Sequence, residues 1–317
     1  MKPKIYFKKV RDFGEVFGAS FGYLTRNFRS FFGAILALAG PFFLLNSIAS
    51  SFLLKFSFGN LAYGGNPMQM LSDMAVPFFF VIIFSILGSS VYNTVVNEHL
   101  LVNEELSENE KPSIGMIAKR FFGSYWRNLG VMFLLMLFSI ITYVVFALII
   151  GVFIVLLKSI GFVGVLLMVL MFMFLIMVLM PIYVYMLVAI VFTSQRHKLG
   201  FFAATGQVLK YLKGNFWMTW LISFVGGLCT YIMIIIAYLP VYILMVVSMM
   251  SRIKMDDINS INNIQNDVPI YVTVITSVVG ILIICISSLY VVMMNYQCTS
   301  NEEKIEGTSI LQKIESI

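Results

Sequence analysis

Six long hydrophobic runs dominate the pattern of polar and apolar positions along the 317-residue chain. None of the runs contains Asp, Glu, Lys, Arg or His. Each exceeds the roughly 20 apolar residues that cross a hydrocarbon core about 30 Å thick. A membrane β-barrel would show short segments of alternating polarity instead, so the runs predict membrane-spanning helices. They cover approximately residues 30–54, 75–96, 129–157, 160–193, 216–250 and 269–295.

The overall composition agrees with a lipid environment. Hydrophobic residues make up 60% of the chain and charged residues 11%, whereas an ordinary soluble domain has about 25% charged residues. A globular protein of this length would have too few charges to cover its surface. We therefore expect a single membrane domain over residues 1–317.

Lysine and arginine are distributed unequally among the segments between the runs. Seven precede the first run, four lie in each of the segments 97–128 and 194–215, two follow the last run, and only four lie elsewhere. Because cytoplasmic loops retain the positive residues, we expect a multi-pass protein of the inner (cytoplasmic) membrane with both termini in the cytoplasm. The same distribution accounts for the net charge of +6 without a nucleic-acid partner.

A similar short sequence precedes each odd-numbered run and indicates a threefold internal repeat. The three copies read FGYLTRNF, FGSYWRNL and LKYLKGNF, and their common position is occupied by Asn27, Asn128 and Asn215. A basic residue lies within two positions before each asparagine. The repeat units cover about residues 9–96, 112–193 and 200–295, and a cytoplasmic tail follows over 296–317.

Apolar residues recur at steps of three and four ahead of these asparagines, which is one face of a helix. In the first copy this face runs from Val10 to Phe28 and includes Phe13, Phe17 and Phe21. An aromatic face with basic residues nearby is typical of a helix that lies among the lipid headgroups. The predicted fold is an all-α membrane protein with six transmembrane helices as three hairpins, each preceded by an amphipathic interfacial helix on the cytoplasmic side.

The corner sequences before the odd spans resemble those of the six-span membrane domain that is fused to some glycerophosphodiester phosphodiesterases. The third copy departs from that pattern, with Lys213-Gly214-Asn215 in place of Arg-Asn. The chain also looks like stand-alone bacterial relatives of that domain, and its Phe-rich leader with Ala39-Gly40-Pro41 looks like that of integral membrane proteins of Bacteroidota. Phosphodiesterase activity is not implied, because the catalytic barrel and a His/Glu metal cluster are absent from the sequence.

Catalytic chemistry is not indicated by the remaining polar residues. Ionisable residues within membrane spans usually mark ion pathways or proton relays, and the runs have none. A cluster after the second run would need another imidazole to hold a metal, so we interpret it as a solvated acidic connector. We therefore predict a protein that is not an enzyme and has no catalytic residues, no metal and no cofactor. The cluster consists of Glu98, His99, Glu104, Glu105, Glu108 and Glu110.

Glycines at four-residue spacing in the leader predict close packing of the helix backbone. Glycine costs about 1 kcal/mol in a helix, so Gly14, Gly18 and Gly22 suggest a contact surface, either with the chain's own spans or with another subunit. The candidate helix-packing or interface positions are Gly14, Gly18, Gly22, Asn27, Asn128 and Asn215.

Polar residues inside the runs have two interpretations. They can join helices by hydrogen bonds, worth about 0.6 kcal/mol each on average, or they can line a cavity. The candidate cavity-lining residues are Asn46, Asn93, Tyr183, Tyr238 and Tyr242.

Two functions are compatible with this sequence. The first is a non-enzymatic membrane protein that assembles with or regulates other envelope components, with the bilayer and either other membrane proteins or further copies of itself as partners. This function predicts an interior closed by side chains. The alternative is a permease or lipid-handling protein with an uncharged substrate path, which predicts a continuous polar or lipid-sized cavity.

Overall fold

Helices account for nearly all of the residues that a computed structural model describes, which are 5–63, 67–158, 161–253 and 270–307. These ranges contain no β-strand. The helices are α1 (Phe13–Leu38), α2 (Gly40–Tyr63), α3 (Pro67–Glu105), α4 (Ile114–Lys158), α5 (Phe162–His197), α6 (Phe201–Lys213), α7 (Phe216–Ile253) and α8 (Ile270–Glu306).

Five helices of the described chain, α3, α4, α5, α7 and α8, are long and apolar enough to cross a membrane. A sixth crossing would combine α1 and α2, which are bent by 54° relative to each other. The break lies at Ala39, just before Pro41, whose ring is compatible with the first turn of a helix but not with its interior. A helical multi-pass membrane protein is thus confirmed, although the first apolar run forms two helices instead of one.

The three segments that precede the odd-numbered runs fold in three different ways. The first is continuous with α1 and bends at Asn27, whose φ of −107° and ψ of 16° are not helical. The second is part of the uninterrupted helix α4. The third forms the separate helix α6, which ends before Gly214. Only this third copy has a glycine immediately before its asparagine, and glycine weakens a helix interior.

Helix α1 begins with a capping box. The Glu15 backbone N–H donates to Asp12 Oδ1 at 2.8 Å, and the Asp12 N–H donates to Glu15 Oε2 at 3.2 Å. From this start, Val16 lies on the buried side of α1, whereas Phe21 and Phe28 are 50% and 61% exposed. Phe21 and Phe28 therefore point away from the protein core, whereas Phe13 and Phe17 of the same face are partly buried and pack against it.

Buried side chains concentrate at one end of the bundle, which we call the charged end. The start of the chain reaches the α3–α4 connection there, where the Tyr6 hydroxyl donates to Glu108 Oε1 at 2.5 Å. It also reaches the last turns of α8, where the Arg11 N–H donates to Ser300 Oγ at 2.9 Å. The charged end therefore gathers segments that are far apart in the sequence.

The opposite halves of α4 and α5 are largely exposed. Among their described side chains, α4 has no buried residue after Leu135, and α5 has only Gly164 before Ile182. Exposed apolar residues are expected where lipid is the solvent, because lipid tails are as apolar as the side chains themselves. The segment between the first two apolar runs, residues 55–74, is helical as far as the structure describes it, since α2 continues to Tyr63 and α3 begins at Pro67.

Candidate functional site: a buried polar layer

Polar side chains from six helices meet inside the charged end, in a region that we call the polar layer. Helices α3, α5 and α8 supply most of its members, because each continues past the end of its apolar run. The polar layer consists of Tyr23, Thr94, Asn97, Glu98, His99, Asn128, Gln195, Arg196, Asn215, Thr219, Asn295, Gln297, Asn301 and Glu302, all of them buried or partly buried.

Asn128 joins α4 to both α3 and α5. Its Nδ2 group donates to Thr94 Oγ1 at 3.0 Å and to Gln195 Oε1 at 2.6 Å. The Gln195 Nε2 group in turn donates to Glu98 Oε1 at 2.7 Å. The buried carboxylate of Glu98 therefore has an amide donor, which offsets part of the cost of removing a charge from water.

Asn301 has the corresponding role between α7 and α8. Its Nδ2 group donates to Thr219 Oγ1 at 2.9 Å and to the Tyr185 hydroxyl at 3.3 Å. Its Oδ1 atom accepts from Gln297 Nε2 and from Asn215 Nδ2, both at 2.9 Å. All four hydrogen-bonding positions of this amide are thus occupied.

A further amide pair joins α3 to α8. Asn295 Nδ2 donates to Asn97 Oδ1 at 2.9 Å, across 198 positions of sequence. Both residues are essentially inaccessible. Helices α3 and α8, which end the first and third predicted repeat units, are therefore in direct contact through polar side chains.

His99 is fully buried and connects α3 to α1. Its Nδ1 atom is hydrogen-bonded to the Tyr23 hydroxyl, and its Nε2 atom lies 3.2 Å from Ser30 Oγ. The Ser30 hydroxyl donates its proton to the Asn27 carbonyl at 3.1 Å, so we assign the proton to Nε2 of His99 and the acceptor role to Nδ1. In this arrangement His99 accepts from Tyr23, donates to Ser30 and joins α3 to two positions of α1.

Arg196 and Glu302 form a buried ion pair between α5 and α8. The Nη1 atom of Arg196 lies 2.9 Å from Glu302 Oε2, and the two side chains are 8% and 9% exposed. Glu104 Oε1 is 3.7 Å from the same guanidinium. The Arg196 guanidinium carbon also lies 5.8 Å and 5.9 Å from the ring centroids of Phe7 and Phe192. Packing between aromatic rings suits the planar, weakly hydrated guanidinium group.

Arg11 is buried without a carboxylate within ion-pairing distance in the described chain. Its guanidinium donates to the Phe7 carbonyl at 3.0 Å and to the Lys9 carbonyl at 3.1 Å. Its Cζ atom lies 4.9 Å from the centroid of the Tyr296 ring. Burial lowers the pKa of Arg11, because removal from water disfavours the charged form. The start of the chain is thereby anchored against α8.

Helix α6 is attached to α8 at the edge of the polar layer. The Tyr211 hydroxyl donates to Glu306 Oε1 at 3.1 Å, and Lys210 Nζ lies 3.8 Å from the same oxygen. Burial, followed by the negative charges of Glu302 and Glu306, raises the pKa of Tyr211. The phenol therefore remains protonated and serves as a hydrogen-bond donor.

The prediction of a solvated acidic connector after the second run is wrong for its first two residues. Glu98 and His99 are buried, whereas Glu105, Glu108 and Glu110 are exposed as expected. The reason is that α3 continues to Glu105, so its first turns beyond the apolar run still pack against neighbouring helices. The sequence contained a signal for this continuation of the helix, because consecutive polar residues, and no loop-forming Gly or Pro, follow directly at the end of each even-numbered run.

The three repeat asparagines all lie at the polar layer or beside it. Asn128 belongs to the hydrogen bonds among α3, α4 and α5 described above. Asn215 is partly buried and accepts from Lys304 Nζ. Asn27 is 2% exposed and its Nδ2 group donates to the Tyr23 carbonyl at 3.3 Å. Its Oδ1 atom is buried without a hydrogen-bond partner.

The glycine stripe has contacts at one position only. A Cβ atom on Gly22 would lie 2.7 Å from Ile5 Cδ1, whereas one on Gly18 would meet nothing within 4 Å. A Cβ atom on Gly14 would have only Asp12 Oδ1 nearby, at 3.7 Å. Gly14 and Gly18 are exposed, so the structure provides no partner for them within the described chain.

The candidate cavity-lining residues are distributed over four helices, and no hydrogen bond or ring contact joins them across helices in the described chain. Asn46 accepts from Ser85 Oγ at 3.3 Å, and Asn93 donates to the carbonyl of Ser89, one turn earlier, at 2.8 Å. The Tyr183 hydroxyl donates to Ser139 Oγ at 2.6 Å. Tyr238 and Tyr242 contact each other on α7, with ring centroids 6.0 Å apart.

Metal binding is not indicated by the described residues, which contain no group of three or more His, Cys, Asp or Glu side chains suited to hold an ion. No family model, characterised protein or solved structure matches the chain.

Proposed function

We propose that this chain is a non-enzymatic, multi-pass protein of the bacterial inner membrane that assembles with or regulates other envelope components. The polar layer is the observation that supports this function. Its amides, hydroxyls and charges bond to one another across α3, α4, α5, α7 and α8. Such a network fixes helices relative to one another.

The proposal includes six spans as three hairpins with both termini in the cytoplasm. Two independent observations support this topology. The segments that carry most of the basic residues are the segments that meet at the charged end. The resemblance of the Asn27 and Asn128 corners to those of the phosphodiesterase-associated membrane domain implies the same arrangement.

Affinity purification from native membranes after mild crosslinking tests the assembly function. We expect a membrane or envelope protein to be recovered in constant proportion to the tagged chain, and to be absent when an unrelated six-span protein is tagged at equal abundance. Recovery of the chain alone, after crosslinking and in several detergents, would contradict the proposal.

A lipid-handling function is the second candidate, and two features support it. An open basic pocket lies beside Asn27, and half of α4 and of α5 has few buried side chains. Reconstitution into vesicles with a fluorescent phospholipid distinguishes the two functions. Acceleration of lipid movement between leaflets, compared with vesicles that carry an unrelated membrane protein, would favour this candidate. An unchanged rate would favour the assembly function.

A further inference from the structure

The bend of α1 at Asn27 creates a pocket of about 460 Å³ at the charged end. We call it the basic corner, and its principal residues are Arg26, Asn27, Phe28, Arg29 and Lys111. The helix changes direction at Asn27, whose backbone is not helical, so Arg26 lies before the bend and Arg29 lies after it. Lys111 comes from the α3–α4 connection and brings a third positive charge to the same pocket.

The basic residues of the basic corner form no ion pair with the carboxylates closest in the sequence. Glu108 accepts from the Tyr6 hydroxyl at 2.5 Å, and Glu110 accepts from the Ser107 N–H at 3.2 Å. None of the ion pairs in the described chain involves Arg26, Arg29 or Lys111. The basic corner is therefore a cluster of three positive charges with no carboxylate within ion-pairing distance in the described chain.

Arg26 is held in position with part of its guanidinium unused. Its Nη2 group donates to the Glu108 carbonyl, which ties α1 to the α3–α4 connection. Its Nη1 group is buried and has no hydrogen-bond partner. A buried guanidinium nitrogen without an acceptor is costly, and an anionic oxygen that enters the pocket would satisfy it. Planar guanidinium groups bind phosphate oxygens well because they present paired donors.

The surroundings of the pocket indicate that the phosphate belongs to a lipid. Phe28 lines the pocket and is 61% exposed, and Phe21 on the same face is 50% exposed. The helix continues from this corner into the apolar segment that, with α2, qualifies as a membrane span. Exposed aromatic rings beside basic residues are typical of the headgroup level of a bilayer.

We propose that the basic corner binds the phosphate headgroup of an anionic phospholipid, with its acyl chains along Phe28 and the apolar surface beyond. Basic pockets on the cytoplasmic side of membrane proteins bind anionic headgroups in this way. The inference assigns a ligand to the pocket that supports the second candidate function, but it depends on neither candidate and requires only that α1 lies at the membrane surface. A lipid bound here would lock the α1 bend against the α3–α4 connection.

Native mass spectrometry of the full chain, delipidated and titrated with defined lipids, tests this inference. We expect tighter binding of phosphatidylglycerol than of zwitterionic phosphatidylethanolamine. Each basic residue near an anionic headgroup contributes about fivefold to affinity. The triple variant R26Q/R29Q/K111Q should therefore weaken phosphatidylglycerol binding by at least about tenfold.

The matched control is K8Q/K119Q/K213Q, which removes three exposed positive charges outside the pocket. It should change the affinity by less than about twofold. The double variant R29Q/K111Q keeps the Arg26 contact to the Glu108 carbonyl, so it tests the site even if the triple variant is unstable. Equal losses in the pocket and control variants would overturn the inference in favour of diffuse attraction. Competition by inorganic phosphate at comparable concentration would overturn it in favour of a soluble anion.

Discussion

At the scale of single residues, the polar layer depends on amides that serve several helices at once. Asn128 donates to partners on α3 and α5, and Asn301 fills all four of its hydrogen-bonding positions. An unsatisfied polar group buried in a membrane costs several kcal/mol. Removing a single hydrogen-bonding partner from a buried group costs roughly 1–3 kcal/mol. Individual amides are therefore sensitive positions.

Asn128→Ala should destabilise the protein by about 1–2 kcal/mol, because the substitution leaves Gln195 Oε1 without its donor. Thr142→Ala, on the same helix, is the control. Thr142 is partly exposed and its hydroxyl donates to the Phe138 carbonyl of its own helix at 2.8 Å, so we expect a change below about 0.5 kcal/mol. Thermal unfolding in one detergent measures both variants. Equal stability of the two would contradict the role assigned to Asn128.

Gly18→Ala should raise the stability of α1 by up to about 1 kcal/mol, because alanine is the better helix former and its Cβ atom meets nothing within 4 Å. Gly22→Ala should gain less, since its Cβ atom would displace Ile5 Cδ1. Size-exclusion chromatography with light scattering supplies a second measurement. Dissociation of an oligomer by Gly18→Ala would show that the glycine stripe packs against another subunit, contrary to the expected gain.

At the scale of helices, the apolar runs and the polar layer differ in how well the sequence predicts them. A long apolar run without charges is stable in lipid as a helix, because a helix satisfies the hydrogen bonds of its own backbone. The runs therefore predicted α3, α4, α5, α7 and α8. The break at Ala39 lies just before Pro41, which is the residue that marks it in the sequence.

The polar layer was not predicted as a unit because its contacts join distant positions. The Asn97–Asn295 bond spans 198 residues, and a single sequence does not show which polar residues at the helix ends face one another. The sequence nevertheless identified Asn27, Asn128 and Asn215 as candidates, because they occupy the same position in the three copies of the predicted repeat. Their convergence at one end follows from the topology that the charge distribution predicts.

The Arg196–Glu302 pair gives a prediction about the contact between α5 and α8. Arg196→Met should cost about 3 kcal/mol, because Glu302 keeps only His197 nearby, at 3.3 Å. The double variant R196M/E302M should be less destabilised than Arg196→Met alone, since no unpaired charge remains buried. The exposed Lys9–Glu15 pair, with side chains 58% and 43% exposed, is the control and should show a coupling below about 1 kcal/mol. Equal coupling energies in the two cycles would contradict burial of the α5–α8 pair.

At the scale of the whole molecule, one end is polar and interconnected, whereas the opposite halves of α4 and α5 are apolar and largely exposed. The start of the chain, the two basic connections and the last turns of α8 share the charged end. Positively charged loops resist translocation across the inner membrane. The end that is held together by polar contacts is therefore the end that we assign to the cytoplasm.

Accessibility of single cysteines tests this orientation, in a variant whose Cys229, Cys285 and Cys298 are replaced by alanine. Cysteines at Lys8, Lys111 and Lys213 should react with a membrane-impermeant maleimide only after the inner membrane is disrupted. A cysteine at Phe162, which is 83% exposed at the start of α5, should react in cells whose inner membrane is intact. A chain with three equivalent hairpins cannot place Lys8 and Lys213 on opposite sides, so labelling of these two positions from different sides would exclude the threefold repeat as well as the orientation.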